Sequence, residues 1–442
     1  MYSEGHHPTE TRGEPSCNSQ ARSGTYQAGR GIVCARGPLS RVITERSGHE
    51  DLTRRSGKGR ADHPSVQLYY ANRGRTGDLI TDLTRPDAPT IHPVSSLPVF
   101  VVLILFGAAS VATWGAGIEL SKSTDELDRR LGIGDALGGM VLLAIAGSLP
   151  ELAITVSAAA SGHLDLAAGN LIGGIATATM VLVLCDLFAA RPLTYLVGSV
   201  LPVLEGLLVV LTVAAVLMGA LLPGSVAIGG RLSPASLAIV VIWIGGVWVL
   251  NRTRSHPMWD VVMEGSRPGR PHRRVRHPVA DAARATHSML RVATVFVTAS
   301  VVTLLAGVVL EITGSELADR AGINGVVFGA TALALATALP EISSGIEAVR
   351  LGDHQLAIGD VFGGNAFQLC LFVVADLVAM KPTLPTTGAA NAWLAALSLA
   401  LTAVYIGGVI VRPSRPKRLG PDSILALLIY AVGIVGLLRI VQ

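Results

Sequence analysis

Residues 144–156, AIAGSLPELAITV, place a helix-breaking proline and a carboxylate side by side inside an otherwise apolar stretch. Pro150 has no N–H, so the carbonyl of Ala146 loses its helical donor and Gly147 is loosened as well. A bare carbonyl in lipid is costly unless protein or an ion satisfies it. We therefore expect an interrupted helix with Glu151 beside the interruption.

The composition around this stretch is typical of a helical membrane protein. Hydrophobic residues make up 50% of the 442 residues and charged residues only 15%, against roughly 25% charged in soluble domains. Aromatic residues are 5% and the apolar runs are continuous, which favours helices over a transmembrane barrel. Ten runs reach the length of about 20 residues that a membrane-crossing helix needs. They are 97–117, 132–160, 164–190, 195–222, 234–251, 292–311, 322–349, 354–380, 388–411 and 422–441.

The two halves of the chain repeat one pattern 190 positions apart. ELDRRLGIGDALGGMVLLAIAGSLPEL (126–152) aligns without a gap with ELADRAGINGVVFGATALALATALPEI (316–342), and 161–187 aligns with 351–377. Each half holds five spans, an odd number, so the second half must enter the membrane upside down. We predict an all-α membrane protein of ten transmembrane helices, arranged as two inverted five-helix repeats.

The repeats divide the chain into four segments. Residues 1–96 have no sustained period and are predicted to be a disordered extension without a signal peptide. The first repeat then covers 97–251, a basic linker 252–291, and the second repeat 292–442. Two other interpretations of the extension stay open: a basic regulatory or nucleic-acid-binding arm, and a true start at a non-Met codon near Val94.

The positive charges predict the orientation in the membrane. The linker 252–291 carries nine Arg, and 412–418 adds four positive residues on the same side if there are ten spans. Positively charged loops mark the cytoplasmic side. We expect an integral protein of a bacterial-type plasma membrane, with its N-terminus outside and the linker cytoplasmic.

The proline and the glutamate recur in register in the second half as Pro340 and Glu341, with Ala336 and Thr337 in the opened turn. A lone proline in a span is usually a kink, and a lone membrane glutamate often only pairs with an arginine. Their duplication favours a functional site, in which two carboxylates and bare carbonyls meet near the midplane and bind a hard cation.

Other polar residues in the spans are ambiguous. Asp360 aligns with Asn170, and both either line the site or form helix-to-helix hydrogen bonds. Glu205 has no acidic counterpart in the second half, so packing or a salt bridge is the favoured interpretation. Asp186 and Asp376 stand at span ends and are expected to be solvated.

These motifs resemble those of the calcium:cation antiporter superfamily, which includes the sodium/calcium exchangers. Its two repeats carry G-[ST]-S-x-P-E followed by G-N-x-x-G-S-N, and here they read AGSLPE…GNLIGGI and ATALPE…GDVFGGN. The resemblance covers about 97–441 and implies the sodium/calcium exchanger fold. It also implies a set of cation ligands: Glu151 and Glu341 as principal metal ligands, Ser148 and Thr337 through hydroxyls, and Ala144 and Ala334 through backbone carbonyls.

The motifs depart from the family pattern in ways that reduce the number of implied cation ligands. Gly147 and Ala338 stand where the family usually has a second hydroxyl, so each copy keeps one of two. The polar residue expected after the second motif is Gln368, where the family often has Asn or Asp. Asp360, Asn170 and Gln368 are therefore additional candidates for the oxygens that calcium needs, normally 6–8.

The predicted function is a secondary-active cation antiporter that exchanges calcium for sodium or protons by alternating access at the two glutamates. No P-loop motif is present, and we expect no enzymatic activity and no cofactor beyond the transported cations. The expected partners are the lipid bilayer and inorganic cations, with no nucleic acid and no required protein partner. The four cysteines show no CxxC spacing, so no disulfide framework is inferred.

Three alternatives remain. One is an antiporter of another cation, coupled to sodium or protons, using the same residues. Another is a transport-inactive membrane scaffold or sensor whose working part is the 252–291 linker. The last is an intramembrane enzyme, which is disfavoured because the His residues, such as His163 and His354, lie outside the apolar core.

Overall fold

The computed structural model describes residues 94–131, 138–255, 288–411 and 419–442. Most of the extension 1–96, most of the linker 252–291 and the basic stretch 412–418 lie outside the described residues, so the predictions made for them stay predictions. Helices dominate what is described. Eight are long and apolar enough to cross a membrane, or up to ten spans if each of two bent helix pairs counts as one.

The helices follow the same order in each half. The first half comprises α1 (Val99–Leu131), α2 (Gly138–Gly147) bent against α3 (Leu149–Ser161), α4 (Leu164–Phe188), α5 (Leu201–Ala220) and α6 (Pro234–Ser255). The second comprises α7 (Met289–Ala321), α8 (Gly325–Thr337) bent against α9 (Leu339–Arg350), α10 (His354–Gln368) leading into α11 (Leu371–Ala379), α12 (Gly388–Ile410) and α13 (Pro421–Val441). Short helical turns, Leu193–Leu196 and Leu384–Thr386, follow α4 and α11. In the described ranges the predicted all-α fold is confirmed.

The first helix of each half is longer than predicted. α1 and α7 have 33 residues each, or about 50 Å at 1.5 Å per residue, against a bilayer core of about 30 Å. The predicted spans end at 117 and 311, where polar residues begin. Polar residues are poorly soluble in lipid but remain compatible with a helix, so each helix continues beyond its apolar part.

The predicted interruptions occur at Ser148 and Ala338, two residues before each proline. The helix axes bend there by 51° and 47°. Pro150 and Pro340 stand in the first turn of the following helix, where a missing N–H costs little. α8 also contains a π-helical turn, Gly329–Leu333, just before the second interruption.

The main contacts between helices come in equivalent pairs: where two helices meet, the corresponding helices of the opposite halves also meet. α1 packs along α7, α3 packs on α7 as α9 packs on α1, and α5 packs on α6 as α12 packs on α13. Likewise α4 contacts α8 and α12, while α10 contacts α2 and α5. The interrupted helices of both halves therefore lie in the interior of one shared bundle.

Two glycines at equivalent repeat positions bring each first helix onto the proline of the other half. A Cβ at Gly117 would lie 2.5 Å from Cγ of Pro340, and a Cβ at Gly307 would lie 2.9 Å from the carbonyl oxygen of Pro150. Real Cβ atoms do not approach so closely. Only glycine permits α1 and α7 to cross the two interruptions at this distance.

Two acids at the span ends hold the halves together. Asp186 and Asp376 are fully buried, so the expectation that they are solvated is wrong. Asp186 accepts a hydrogen bond from the hydroxyl of Ser423 in α13, and Asp376 accepts one from the N–H of Ser233, just before α6, at 2.9 Å. Each carboxylate thus accepts a hydrogen bond from within or just before the last helix of the opposite half, as well as one from its own half, which explains how it tolerates burial.

Candidate functional site

The two predicted glutamates occupy equivalent places. Glu151 stands in the first turn of α3 and Glu341 in the first turn of α9, where the positive end of the helix dipole favours a negative charge. Glu151 is 4% exposed and Glu341 is half-buried. The two carboxylates lie close enough to repel each other. The fold therefore brings together one acid from each half.

The hydroxyl candidates lie at the same interruptions. Thr337 is buried, its hydroxyl donates to the carbonyl of Ala334 at 3.2 Å, and it lies within hydrogen-bonding reach of the Glu151 carboxylate. Ser148 is buried immediately before α3 and makes no side-chain cap to that helix. Within the described ranges, Oε2 of Glu151 is buried and has no hydrogen-bond partner. An oxygen-rich centre with an open acceptor is thus present.

Each of the two candidate carbonyls already accepts one backbone hydrogen bond. The carbonyl of Ala144 accepts from the N–H of Ser148 at 3.1 Å, and that of Ala334 accepts from the N–H of Ala338 at 3.0 Å. A carbonyl oxygen has two lone pairs, so coordination of a cation would use the second one or break these bonds. Among the residues described, no group of three or more His, Cys, Asp and Glu converges on a metal site.

Asp360 extends the site and Asn170 is buried with open polar atoms. Asp360 accepts from the hydroxyl of Ser344 at 2.8 Å and lies close enough to Glu341 to repel its charge. Asn170 is fully buried, and neither polar atom of its side chain has a hydrogen-bond partner in the part of the chain that the structure describes. The helix-to-helix hydrogen bond considered for Asn170 is therefore not formed here.

Gln368 connects the two halves. Its Nε2 donates to the carbonyls of Leu171 at 2.9 Å and Asn170 at 3.3 Å. It also lies 2.5 Å from where a Cβ on Gly174 would stand. The amide of Gln368 therefore binds the backbone of α4 in this conformation.

Glu205 lines a cavity between α2, α5, α6 and α10. The cavity is small, about 10 Å³, and Ala144, Trp243 and Phe362 contribute to its walls. Glu205 is 2% exposed, and its Oε2 lies 3.0 Å from where a Cβ on Gly359 would stand. The carboxylate is thus placed in the protein interior, on the backbone of the helix that carries Asp360.

A buried acid that sequence reasoning missed joins α7 to the first half. Glu311 is 1% exposed; it accepts from the hydroxyl of Ser157 at 2.6 Å and contacts Nδ1 of His163 at 2.8 Å. Glu311 stands at the last position of the predicted span 292–311, where a polar residue is expected to meet solvent. The sequence feature that could have indicated this acid is a glutamate at the end of an apolar run.

The pair of His163 and Glu311 gives a pH prediction. The hydrogen bond to Glu311 raises the pKa of His163 above its ordinary value. The bond between protonated His163 and Glu311 therefore stabilises the fold fully below about pH 6.5. This stabilisation is lost as the pH rises through the raised pKa. His163→Gln should therefore lower the melting temperature at about pH 6 and much less at about pH 9. Thermal unfolding at both values, with His354→Gln as the control, checks this; an equal loss at both would contradict it.

Comparison with known proteins agrees with this architecture. The family model described as "Sodium/calcium exchanger protein" matches residues 100–250 and 290–439. Inner membrane protein YrbG of Escherichia coli (strain K12) is 27% identical over 247 residues, 55% of this chain and 70% of that protein. Putative antiporter CaxA of Alkalimonas amylolytica is 24% identical over 273 residues, 61% of this chain and 78% of that protein.

Solved structures show the same fold. The crystal structure of the H+/Ca2+ exchanger CAX superimposes with a TM-score of 0.50 and 17% identity, covering 77% of this chain and 87% of that one. The sodium-calcium exchanger NCX_Mj, soaked with 2.5 mM Na+ and 0.1 mM Sr2+, superimposes with a TM-score of 0.50 and 16% identity, covering 76% and 99%. This chain is thus an integral membrane protein that belongs to the sodium/calcium exchanger family.

Proposed function

We propose that the chain is a secondary-active antiporter that exchanges calcium for sodium or protons at a site formed by Glu151 and Glu341. The observation that carries this proposal is that each half places one carboxylate in the first turn after its interruption, and that the two are near enough to interact. The buried hydroxyls of Ser148 and Thr337 and the carbonyls of Ala144 and Ala334 supply further oxygens. A hard cation is bound by such oxygens.

The charge of the site explains why transport takes the form of exchange. Two carboxylates that face each other in a poorly solvated interior repel, and leaving both ionised and empty is unfavourable. Sodium ions or protons therefore replace the divalent cation when it leaves. The two fluxes are coupled without a nucleotide.

We infer that the site alternates between the two sides of the membrane by motion of inverted halves. The support is the contact pattern, in which the main helix contacts have counterparts when the halves are exchanged, and the matched crossings of Gly117 on Pro340 and Gly307 on Pro150. The arginine content of the linker 252–291 favours the cytoplasmic side for the end of α6. The N-terminus is then outside, in a plasma membrane of the bacterial type.

Gln368→Asp tests whether the α4 carbonyls lie beside the cation. Without a cation the new carboxylate faces the carbonyls of Leu171 and Asn170, to which Gln368 donates now, and we expect a lower melting temperature. Calcium should reverse this loss, because it would bridge the carboxylate and the carbonyls. Melting curves with and without calcium check the prediction. A loss that calcium does not reverse would place residue 368 outside the site.

Cation binding in detergent tests the proposed site directly. Calcium should raise the melting temperature of the purified protein, by linkage of binding to folding, while choline chloride of equal ionic strength should not. Glu151→Gln combined with Glu341→Gln should abolish the calcium effect, and Glu119→Gln, at an exposed position of α1, should retain it. Calcium stabilisation that survives the double substitution would place the site elsewhere.

A further inference from the structure

The internal repeat extends into the first helix of each half. ASVATWGAGIEL (109–120) in α1 aligns with ASVVTLLAGVVL (299–310) in α7 at the same offset of 190, with seven identical residues. The identities include Gly117 and Gly307, whose contacts with the prolines explain why no larger residue fits. They also include Thr113 and Thr303. The glycine–proline contacts do not explain why both positions are threonine.

The two threonines are buried and unsatisfied. Both are 0% exposed, and in the described ranges neither hydroxyl has a hydrogen-bond partner. The neighbouring repeat pair behaves differently, since Ser110 and Ser300 each donate to a carbonyl of their own helix at 2.8 Å. An unsatisfied buried hydroxyl is destabilising. Its presence at two equivalent positions therefore needs a reason beyond packing.

Thr303 lies beside the first interruption. One turn before it, Ala299 shares an apolar cluster with Ala146. One turn after it, Gly307 contacts Pro150. Because α7 positions are spaced by about 1.5 Å along the axis, Thr303 stands level with the opened turn between Ala146 and Pro150.

Thr113 lies beside the second interruption in the same way. One turn before it, Ala109 shares an apolar cluster with Ala336. One turn after it, Gly117 contacts Pro340. Each threonine therefore comes from one half and stands beside the interruption of the other half.

We propose that Thr113 and Thr303 are positioning residues for the interrupted helices, each donating to the carbonyl that the nearby proline leaves without a donor, Ala336 or Ala146, in the conformation that faces the other side of the membrane. The proposal rests on the proposed alternating access. A hydroxyl that is unsatisfied in one state and bonded in the other stabilises the second state relative to the first. Two such bonds would keep the states close enough in free energy to interconvert.

Thr113→Val and Thr303→Val test this in proteoliposomes, because valine keeps the shape and removes the hydroxyl. The double variant should have a turnover at least 10-fold lower, with an unchanged KM for the cation, and serine at both positions should restore it. Thr313→Val is the matched control, since the buried hydroxyl of Thr313 donates within α7 to Val309 at 2.6 Å. A wild-type turnover for the double valine variant, or serine variants as slow as valine, would overturn the proposal.

Hydrogen–deuterium exchange gives a second test that needs no transport. The exchange rates of amides in 144–151 and 334–341 should change in the double valine variant, because the state in which the hydroxyls are bonded becomes less populated. Exchange unchanged from wild type in both segments would overturn the proposal. If the wild type carries no cation at all, the proposed antiport fails, and exchange alone decides the role of the threonines.

Discussion

Glu341→Gln is expected to reduce cation exchange in proteoliposomes by roughly 100-fold or more. The substitution removes one of the two interacting carboxylates at the interrupted helices. Loss of one carboxylate partner of a cation bound in a buried site costs on the order of 3 kcal/mol, and each 1.4 kcal/mol corresponds to about a factor of ten. Glutamine keeps the size of the side chain, so packing is preserved and the loss reports on charge.

Glu347→Gln is the matched control for this prediction. Glu347 stands in the same helix, α9, with its side chain exposed. Its substitution should leave exchange within about two-fold of wild type, because exposed charges contribute little. An equally large loss of exchange in both variants would show that α9 tolerates neither substitution. It would remove the argument that the Glu341 carboxylate has a specific role.

Gly173→Ala should destabilise the protein strongly, whereas Gly363→Ala, at the equivalent repeat position, should not. A Cβ at Gly173 would lie 2.5 Å from Cα of Ala330 in α8, but a Cβ at Gly363 has no atom within 4 Å among the described residues. Overpacking that backbone contact costs about 1–3 kcal/mol or more. Removing a helical glycine at Gly363 gains up to about 1 kcal/mol.

Thermal unfolding of the two variants in the same detergent checks this prediction. A lower melting temperature for Gly173→Ala and an unchanged or higher one for Gly363→Ala is the expected result. Equal losses would contradict the difference between the two contacts. Gly363 borders the cavity, while Gly173 is closed against α8 of the other half.

The interruptions and the pairing of halves could be predicted because both are local or periodic in the sequence. A proline in an apolar run removes one donor whatever surrounds it, and bends of 51° and 47° follow at the two predicted places. The offset of 190 positions likewise appears in the sequence without any contact being known. The ends of α1 and α7 were misplaced because hydropathy measures solubility in lipid and not helix continuation.

What the sequence could not show depends on contacts between distant positions. The position of Asp376 at the end of an apolar run predicts a solvated acid, yet Asp376 is buried and bonded to Ser233, 143 positions away. Glu311 gains its partners Ser157 and His163 from the other half, about 150 positions away. The binding of Gln368 to α4 has the same character. Such pairings require the packed bundle, and neither composition nor periodicity encodes them.

Ion flux in proteoliposomes is the measurement that tests the central claim most directly. Purified protein is reconstituted with a calcium indicator inside the vesicles, and calcium, sodium and pH gradients are imposed in turn. We expect an outward sodium or proton gradient to drive calcium in, a calcium gradient to move the counter-ion in return, and Glu341→Gln to abolish both. Calcium uptake that is absent under every gradient, or that persists in Glu341→Gln, would contradict antiport through the paired glutamates.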